Sequence, residues 1–224
     1  MLSRTAIRAA WPIAGQVDER YDSEDALHVA RAQAGDGEAF TALVRKYDSM
    51  IYGIVYRMCG AGPDVEDLGQ DVFVRALTGI QRFNYQGEAG FRVWLCRIAV
   101  NACINELRRR ERRGKIEGGS LDEPIRTDAG EIERDVPDVT TMPHVICEQR
   151  ETRRIIFELL ETVPPLHKAV LTLVDVEGLT YEEAAQAVDC NVGTLKSRLS
   201  RARRALGQRY RQYLARRPMA EMGE

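Results

Sequence analysis

Asn101 and Asn105 stand four residues apart in the stretch FRVWLCRIAVNACINELRRRERR. On a helix, that spacing puts both amides on one face. Trp94 and Arg97 precede them, and Phe83 and Tyr85 sit in the polar stretch before the helix. Aromatic rings beside Arg and Asn suit unstacked bases, which can be stacked on and read along their exposed edges. Trp94 and Phe91 also fit plain core packing, the commoner fate of aromatics at helical spacing. The run that follows adds Arg108 and Arg109 to the same candidate nucleic-acid set. Cations at a helix C-terminus also complement its dipole, so part of this cluster fits a structural role.

A second pattern lies in TYEEAAQAVDCNVGTLKSRLSRARRAL, residues 180–206. Thr180 with Glu183 three residues on forms a capping box. A short alanine-rich helix, a tight turn at Asp189-Cys190-Asn191 and a longer helix match helix-turn-helix geometry. Leu195, Leu199, Ala202 and Leu206 share the core face of the longer helix. From Val192 to Arg217 there are nine Lys/Arg and no Asp/Glu. Such a helix accumulates like-charge repulsion, which a polyanion relieves by neutralisation and counterion release. A solvated basic face is the bland alternative. Lys196 and Arg201 are within reach of guanine O6/N7, and Ser197 and Ser200 of base edges or phosphate. Thr194 sits in the first turn, where backbone amides favour a phosphate. Arg198, Arg203 and Arg204 are assigned to phosphates and register.

A third pattern is acidic. Asp64, Glu66, Asp67 and Asp71 give the helix DVEDLGQDVFVRAL a polar face unsuited to DNA and suited to a basic protein partner.

Other chemistries find little support. The chain has three histidines, no evident Ser/His/Asp set and no phosphate-cradling glycine loop, so no enzyme is expected and no cofactor. His144 and Cys147 offer two zinc ligands, too few for a structural site, so no metal is expected. Five scattered cysteines without a CxxC suit reduced thiols in a cytoplasm. Cys96 and Cys103, seven apart, read as buried thiols. No run approaches 18 apolar residues, so no membrane span is expected. The N-terminus faintly resembles a transit peptide, but a poorly ordered extension is the favoured reading.

Helices must position these groups. Leu27, Ala30 and Ala34 give one short apolar spacing over 23–35. Phe40, Leu43, Val44, Tyr47, Ile51, Ile54, Val55 and Met58 give a strong stripe over 38–59, broken at Gly60-Ala61-Gly62-Pro63. Asp64 is expected as the N-cap of the next helix, whose stripe is Val65, Leu68, Val72, Phe73, Ala76 and Leu77. A long helix is expected from about Phe91 to Arg113. In the rear part the spacing predicts helices over 148–161 (Ile155, Ile156, Leu159, Leu160), 166–177, from Thr180, and from near Val192. Gly178 takes the usual C-terminal role.

The net charge of −2 hides a division. Residues 24–115 carry 14 Lys/Arg against 12 Asp/Glu, residues 116–149 carry 2 against 9, and residues 150–224 carry 13 against 10. The middle stretch, with three prolines and three glycines over 116–145, reads as a flexible acidic linker. The expected fold is all-α: an N-terminal helical bundle (23–115) and a C-terminal helix-turn-helix four-helix domain (146–212). The linker (116–145) joins them, with an extension (1–22) and a tail (213–224) outside.

These segments, in this order, resemble the extracytoplasmic-function (ECF) family of bacterial RNA polymerase sigma factors over roughly residues 24–115 and 146–210. DVEDLGQDVFVRAL resembles the family's polymerase-binding helix, FRVWLCRIAVNACINELRRRERR its −10 reading segment, and VPPLHKAVLTLVDVEGLTYEEAAQAVDCNVGTLKSRLSRARRAL its −35 domain. The resemblance implies that Asp67, Gln70, Asp71 and Arg75 bind the clamp of core polymerase. It implies that the loop at 84–91, with Asn101 and nearby aromatics, traps a flipped −10 base. It further implies that the 192–204 helix enters the −35 major groove, that the linker threads the RNA-exit path, and that an anti-sigma factor clamps the two domains. The chain departs from the family pattern in three places. Cys96 stands where the family often has Tyr. Gly69 interrupts the polymerase-binding helix at a cost of about 1 kcal/mol. About 20 extra residues precede the first helix. A polymerase-independent helix-turn-helix regulator is the rival reading; it leaves the acidic helix and the 91–115 segment unused.

Overall fold

In a computed structural model, the structure describes residues 20–60, 64–84, 90–117, 155, 158–160 and 162–216. Among them there are helices and no strand. The front half is α1 (Arg20–Gln33), α2 (Gly37–Cys59), α3 (Asp64–Gly79), a 3₁₀ turn (Ile80–Arg82) and α4 (Phe91–Glu117). The rear half is α5 (Pro165–Leu171) with a π-helical turn (Thr172–Val176), α6 (Tyr181–Ala187) and α7 (Val192–Arg216). The expected loop residues 85–89, the linker beyond residue 117, most of the expected 148–161 helix and both chain ends lie outside the described residues. So do His144 and Cys147.

α2 starts where Asp36 accepts hydrogen bonds from the Glu38 and Ala39 amides, and stops at Gly60, whose φ is 77°. The Arg31 guanidinium beside Asp36 holds its carboxyl below the usual range. The stripe on α2 behaves as its spacing predicts: Ile51, Ile54, Val55 and Met58 are fully buried. They meet Val72 and Ala76 of α3 and Leu95, Ala99 and Cys103 of α4 in the front core.

Two faces differ from expectation. On α1, Leu27, Ala30 and Ala34 are exposed, and Asp25, Val29 and Ala32 are buried instead. The cause is polar: Asp25 accepts hydrogen bonds from Lys46 Nζ and Tyr47 Oη on α2. A buried carboxylate tolerates no other orientation without losing its partners. On α3, Leu77 is 51% exposed beside Val74 at 58%, so the apolar stripe is narrower than its spacing predicts. Gly69 has a packing reason. A Cβ there would lie 2.4 Å from the ring of Tyr52, so α3 approaches α2 over a bare backbone. Asp64 is the first residue of α3.

In the rear half, Pro165 opens α5 at the position where a missing N–H costs nothing. Gly178, with φ of 73°, ends the π-helical turn as a left-handed cap. The capping box is present: Glu183 N donates to Thr180 Oγ1 at 3.2 Å and Thr180 N donates to Glu183 Oε2 at 2.7 Å. Asp189 takes a left-handed φ of 52° in the turn. Asn191 then caps α7, its Oδ1 accepting from Thr194 N at 2.7 Å. Leu195, Leu199, Ala202 and Leu206 are buried, as are Ile155 and Leu160.

Candidate nucleic-acid interface

α1 positions the first site from behind. Gln33 Nε2 donates to the carbonyls of Ile80 at 2.8 Å and Phe83 at 2.6 Å. These bonds pin the 3₁₀ turn and aim the Phe83 ring at α4. Phe83 stacks on Trp94 with centroids 4.6 Å apart and planes at 34°. Phe91 meets both rings from below, at 5.9 and 5.5 Å, and is itself buried. Thus Phe91 is core, while Phe83 and Trp94 are half-buried and keep an accessible edge.

That edge forms one wall of an open cleft of about 360 Å³. Its other lining residues are Arg75, Gly79, Arg82, Ile98 and Asn101. The volume falls within the range of small-ligand sites, about 300–1,000 Å³. The chemistry is an aromatic platform, an amide that both donates and accepts, and guanidinium donors at the rim. Arg82 was not singled out from sequence. It sits in a 3₁₀ turn at a helix end, and only the fold brings it to the same cleft as Asn101. Arg75, assigned to polymerase contact, lines this cleft and pairs with Asp71 at 2.7 Å.

Asn105, one turn beyond Asn101 on α4, is exposed. Arg108 and Arg109 are also exposed, but Glu106 draws Arg109, Arg110 and Arg113 to within 3.1–3.6 Å. The cluster is therefore partly self-neutralised. Arg97 reaches Asp189 in the rear half at 3.6 Å. Tyr85 lies outside the described residues. On α3, Glu66, Asp67 and Gln70 are exposed and flank the exposed Val74 and Leu77.

The second site is the outer face of α7. Lys196, Ser197, Ser200, Arg201 and Arg204 are exposed, and Thr194 and Arg198 half-buried. Lys196 Nζ lies 5.6 Å from the Tyr181 ring centroid, a cation–π contact that raises the ammonium over α6. Ser197 Oγ donates to the Thr194 carbonyl at 2.9 Å. The Thr194 amide is already used by Asn191, so it is not free for phosphate. Arg203 points elsewhere: its guanidinium grips Asp175 with Nε–Oδ2 2.8 Å and Nη2–Oδ1 2.5 Å. These bonds to Asp175 hold the Arg203 guanidinium charged more firmly than usual.

Glu177 is a further residue with no sequence signal beyond its place before Gly178. It is buried, which pushes its carboxyl above the usual range, against the pull of Arg57 and Arg92. Burial likewise pushes the Cys96 thiol up to about 12. Cys59 and Cys103 are buried, and the hydrogen bond between them pushes the Cys103 thiol up. Among the described residues no group of three or more His, Cys, Asp or Glu side chains could hold a metal ion. No helix among them is long and apolar enough to cross a membrane.

The family model for Sigma-70 region 2 matches residues 43–113, and that for Sigma-70 region 4 matches residues 153–206. The chain is 36% identical to the ECF RNA polymerase sigma-E factor of Haemophilus influenzae, over 80% of this chain and 91% of that protein. Among solved structures, CnrH in complex with the cytosolic domain of CnrY shares the fold, with a TM-score of 0.59 and 21% identity. That match covers 84% of this chain and 98% of that one. The sigma factor RpoE of Bartonella quintana, solved with the anti-sigma factor NepR, is similar at a TM-score of 0.57 and 21% identity. It covers 75% and 94% of the two chains.

Proposed function

Because the chain belongs to the ECF RNA polymerase sigma factors, we propose that it docks on core polymerase through α3, captures an unstacked −10 base in the front cleft, and reads −35 duplex DNA with α7. The observation that carries the reading is the front cleft. There the Phe83–Trp94 pair offers a stacking surface, and Asn101 and Arg82 offer hydrogen bonds at its rim. Capture of an extruded base offsets an unstacking cost of a few kcal/mol, so melting needs no bond chemistry from the protein. The donor-rich rim favours a base edge rich in acceptors.

α3 supports the docking role. Its exposed Val74 and Leu77, flanked by Glu66, Asp67 and Gln70, combine an apolar centre with an acidic rim. On α7, Lys196, Ser197, Ser200 and Arg201 are the base-reading set, and Arg198 and Arg204 the phosphate set. Arg203 is assigned to the rear core instead, given its bidentate pair with Asp175. Each reader is weak alone, and joining them on one polymerase raises their effective concentration. An anti-sigma partner and action in the cytoplasm are inferred from family membership.

Gel shifts on a promoter fragment test the reading. The chain alone binds duplex poorly, and the chain with core polymerase forms a salt-resistant specific complex. Tight specific binding by the chain alone would favour a polymerase-independent regulator.

A further inference from the structure

A lysine left to itself is a poor reader of sequence. It carries a compact charge on a flexible four-carbon stem, and ordering that stem at an interface costs free energy. Lys196 is exposed near the start of α7. Its Nζ lies 5.6 Å from the Tyr181 ring centroid. Among the described residues no carboxylate pairs with this ammonium, so the ring is the group that sets its place.

Tyr181 is itself held. It opens α6 directly after Thr180, whose side chain forms the capping box with Glu183. The residue is half-buried and packs against the hydrophobic core. On α7, Lys196, Ser200 and Arg203 fall at i, i+4 and i+7 and so share one side of the helix. Asp175, and after it Tyr181, hold the Arg203 guanidinium charged against desolvation. Arg203 is in turn gripped by the buried Asp175 carboxylate. Tyr181 thus stands between two cations of the reading helix, two turns apart. One is fixed in the rear core, and the other is exposed.

We propose that Tyr181 is a positioning residue for −35 recognition, its ring holding the Lys196 ammonium in one place so that it reads a single base pair. This inference rests on the −35 reading by α7 proposed above. An ammonium on a loose stem finds a phosphate on any sequence, which adds affinity without preference. An ammonium held against a rigid ring meets the groove at one height, where guanine presents O6 and N7. A cation–π contact at an exposed site corresponds to a factor of about two to five in an equilibrium. The preference that depends on the ring is of that size.

Binding of the holoenzyme to promoters that differ by single −35 base pairs tests the role. Lys196→Ala identifies the base pair that Lys196 reads. Tyr181→Leu is expected to cut the preference at that same pair by about two- to five-fold. Preference at the other pairs and affinity for core polymerase should match the parent. Tyr181→Phe keeps the ring and should keep most of the preference. Tyr181→Leu combined with Lys196→Ala should be no worse than Lys196→Ala alone. If circular dichroism shows Tyr181→Leu to be unfolded, progressively fluorinated phenylalanines at position 181 decide the matter. Fluorine drains charge from the ring face with little change of shape, so the preference should fall stepwise along the series. Full preference in folded Tyr181→Leu, a flat fluorine series, or equal weakening on every sequence would overturn the proposal. In the free chain, the Lys196 ε-methylene protons should show an upfield ring-current shift that Tyr181→Leu abolishes. Absence of that shift, with base reading by Lys196 intact, would overturn the positioning role alone. If Lys196→Ala leaves every base preference unchanged, the −35 reading fails at Lys196 and takes the positioning role with it.

Discussion

Arg203 and Asp175 lie 28 residues apart and meet in two near-parallel hydrogen bonds of 2.8 and 2.5 Å. The Asp175 side chain is fully buried, whereas Arg203 is 31% exposed. The two ends of the pair are therefore unequal. Arg203→Ala removes two hydrogen bonds and the paired charge from a buried carboxylate and is expected to destabilise the rear half by about 3–5 kcal/mol. Asp175→Ala leaves a guanidinium that can turn to water, so it costs less. Urea unfolding of both variants checks the order, and equal losses would contradict it.

Arg201, two positions earlier on the outer face, should behave in the opposite way. Arg201→Ala is expected to leave unfolding unchanged and to weaken recognition at one or two −35 base pairs by about 1–3 kcal/mol. Uniform weakening on every sequence would reassign it to phosphate contact. The comparison with Arg203→Ala separates a reader from a strut on the same helix.

Gly69→Ala sets two effects against each other. Helix propensity gains about 1 kcal/mol. The added methyl meets Tyr52 at 2.4 Å and forces the ring or the helix to move, a strain of about 1–3 kcal/mol. The clash is expected to win, lowering Tm and weakening affinity for core polymerase. A higher Tm would show that Tyr52 yields freely.

Asn101→Ala is expected to slow promoter opening while leaving core-polymerase affinity unchanged. Permanganate reactivity of −10 thymines measures the first and competition against another sigma factor the second. Leu77→Lys should give the reverse pattern, because Leu77 is exposed on α3, away from the cleft lining. If both variants lose opening and affinity together, the division between cleft and docking face is wrong.

The thiols offer a chemical check. Burial holds Cys96 protonated up to about 12, and Cys59 and Cys103 are also buried, whereas Cys190 is partly exposed in the turn before α7. In a Cys147→Ser background, a disulfide reagent at pH 8 should titrate one thiol quickly and the remaining three only on unfolding. Promoter DNA bound with polymerase should slow the reaction of Cys190. Rapid reaction of several thiols in the native chain would contradict the packing of α4.

Legibility in the sequence followed the range of the interaction. The capping box at Thr180, the glycine at 178 and the buried stripe of α7 are set by neighbours within one or two turns, and each is present as its spacing predicts. Leu27 and Leu77 were misplaced because periodicity marks an apolar face without saying what covers it. The Asp25–Lys46–Tyr47 cluster fixes α1 the other way round. Among cations the basic run on α7 looked uniform, and only the fold shows that Arg203 turns inward to Asp175. Arg82 and Glu177 carry no local signal: Arg82 shares its cleft with Asn101, 19 residues on, and Glu177 pairs with Arg57, 120 residues back.

The most direct test of the central claim mixes the purified chain with core RNA polymerase and genomic DNA and maps transcript 5′ ends. The account predicts a limited set of start sites, each preceded by one shared pair of sequence elements, with starts lost in Asn101→Ala and redistributed in Arg201→Ala. No stable complex with core enzyme and no chain-dependent start site would contradict it.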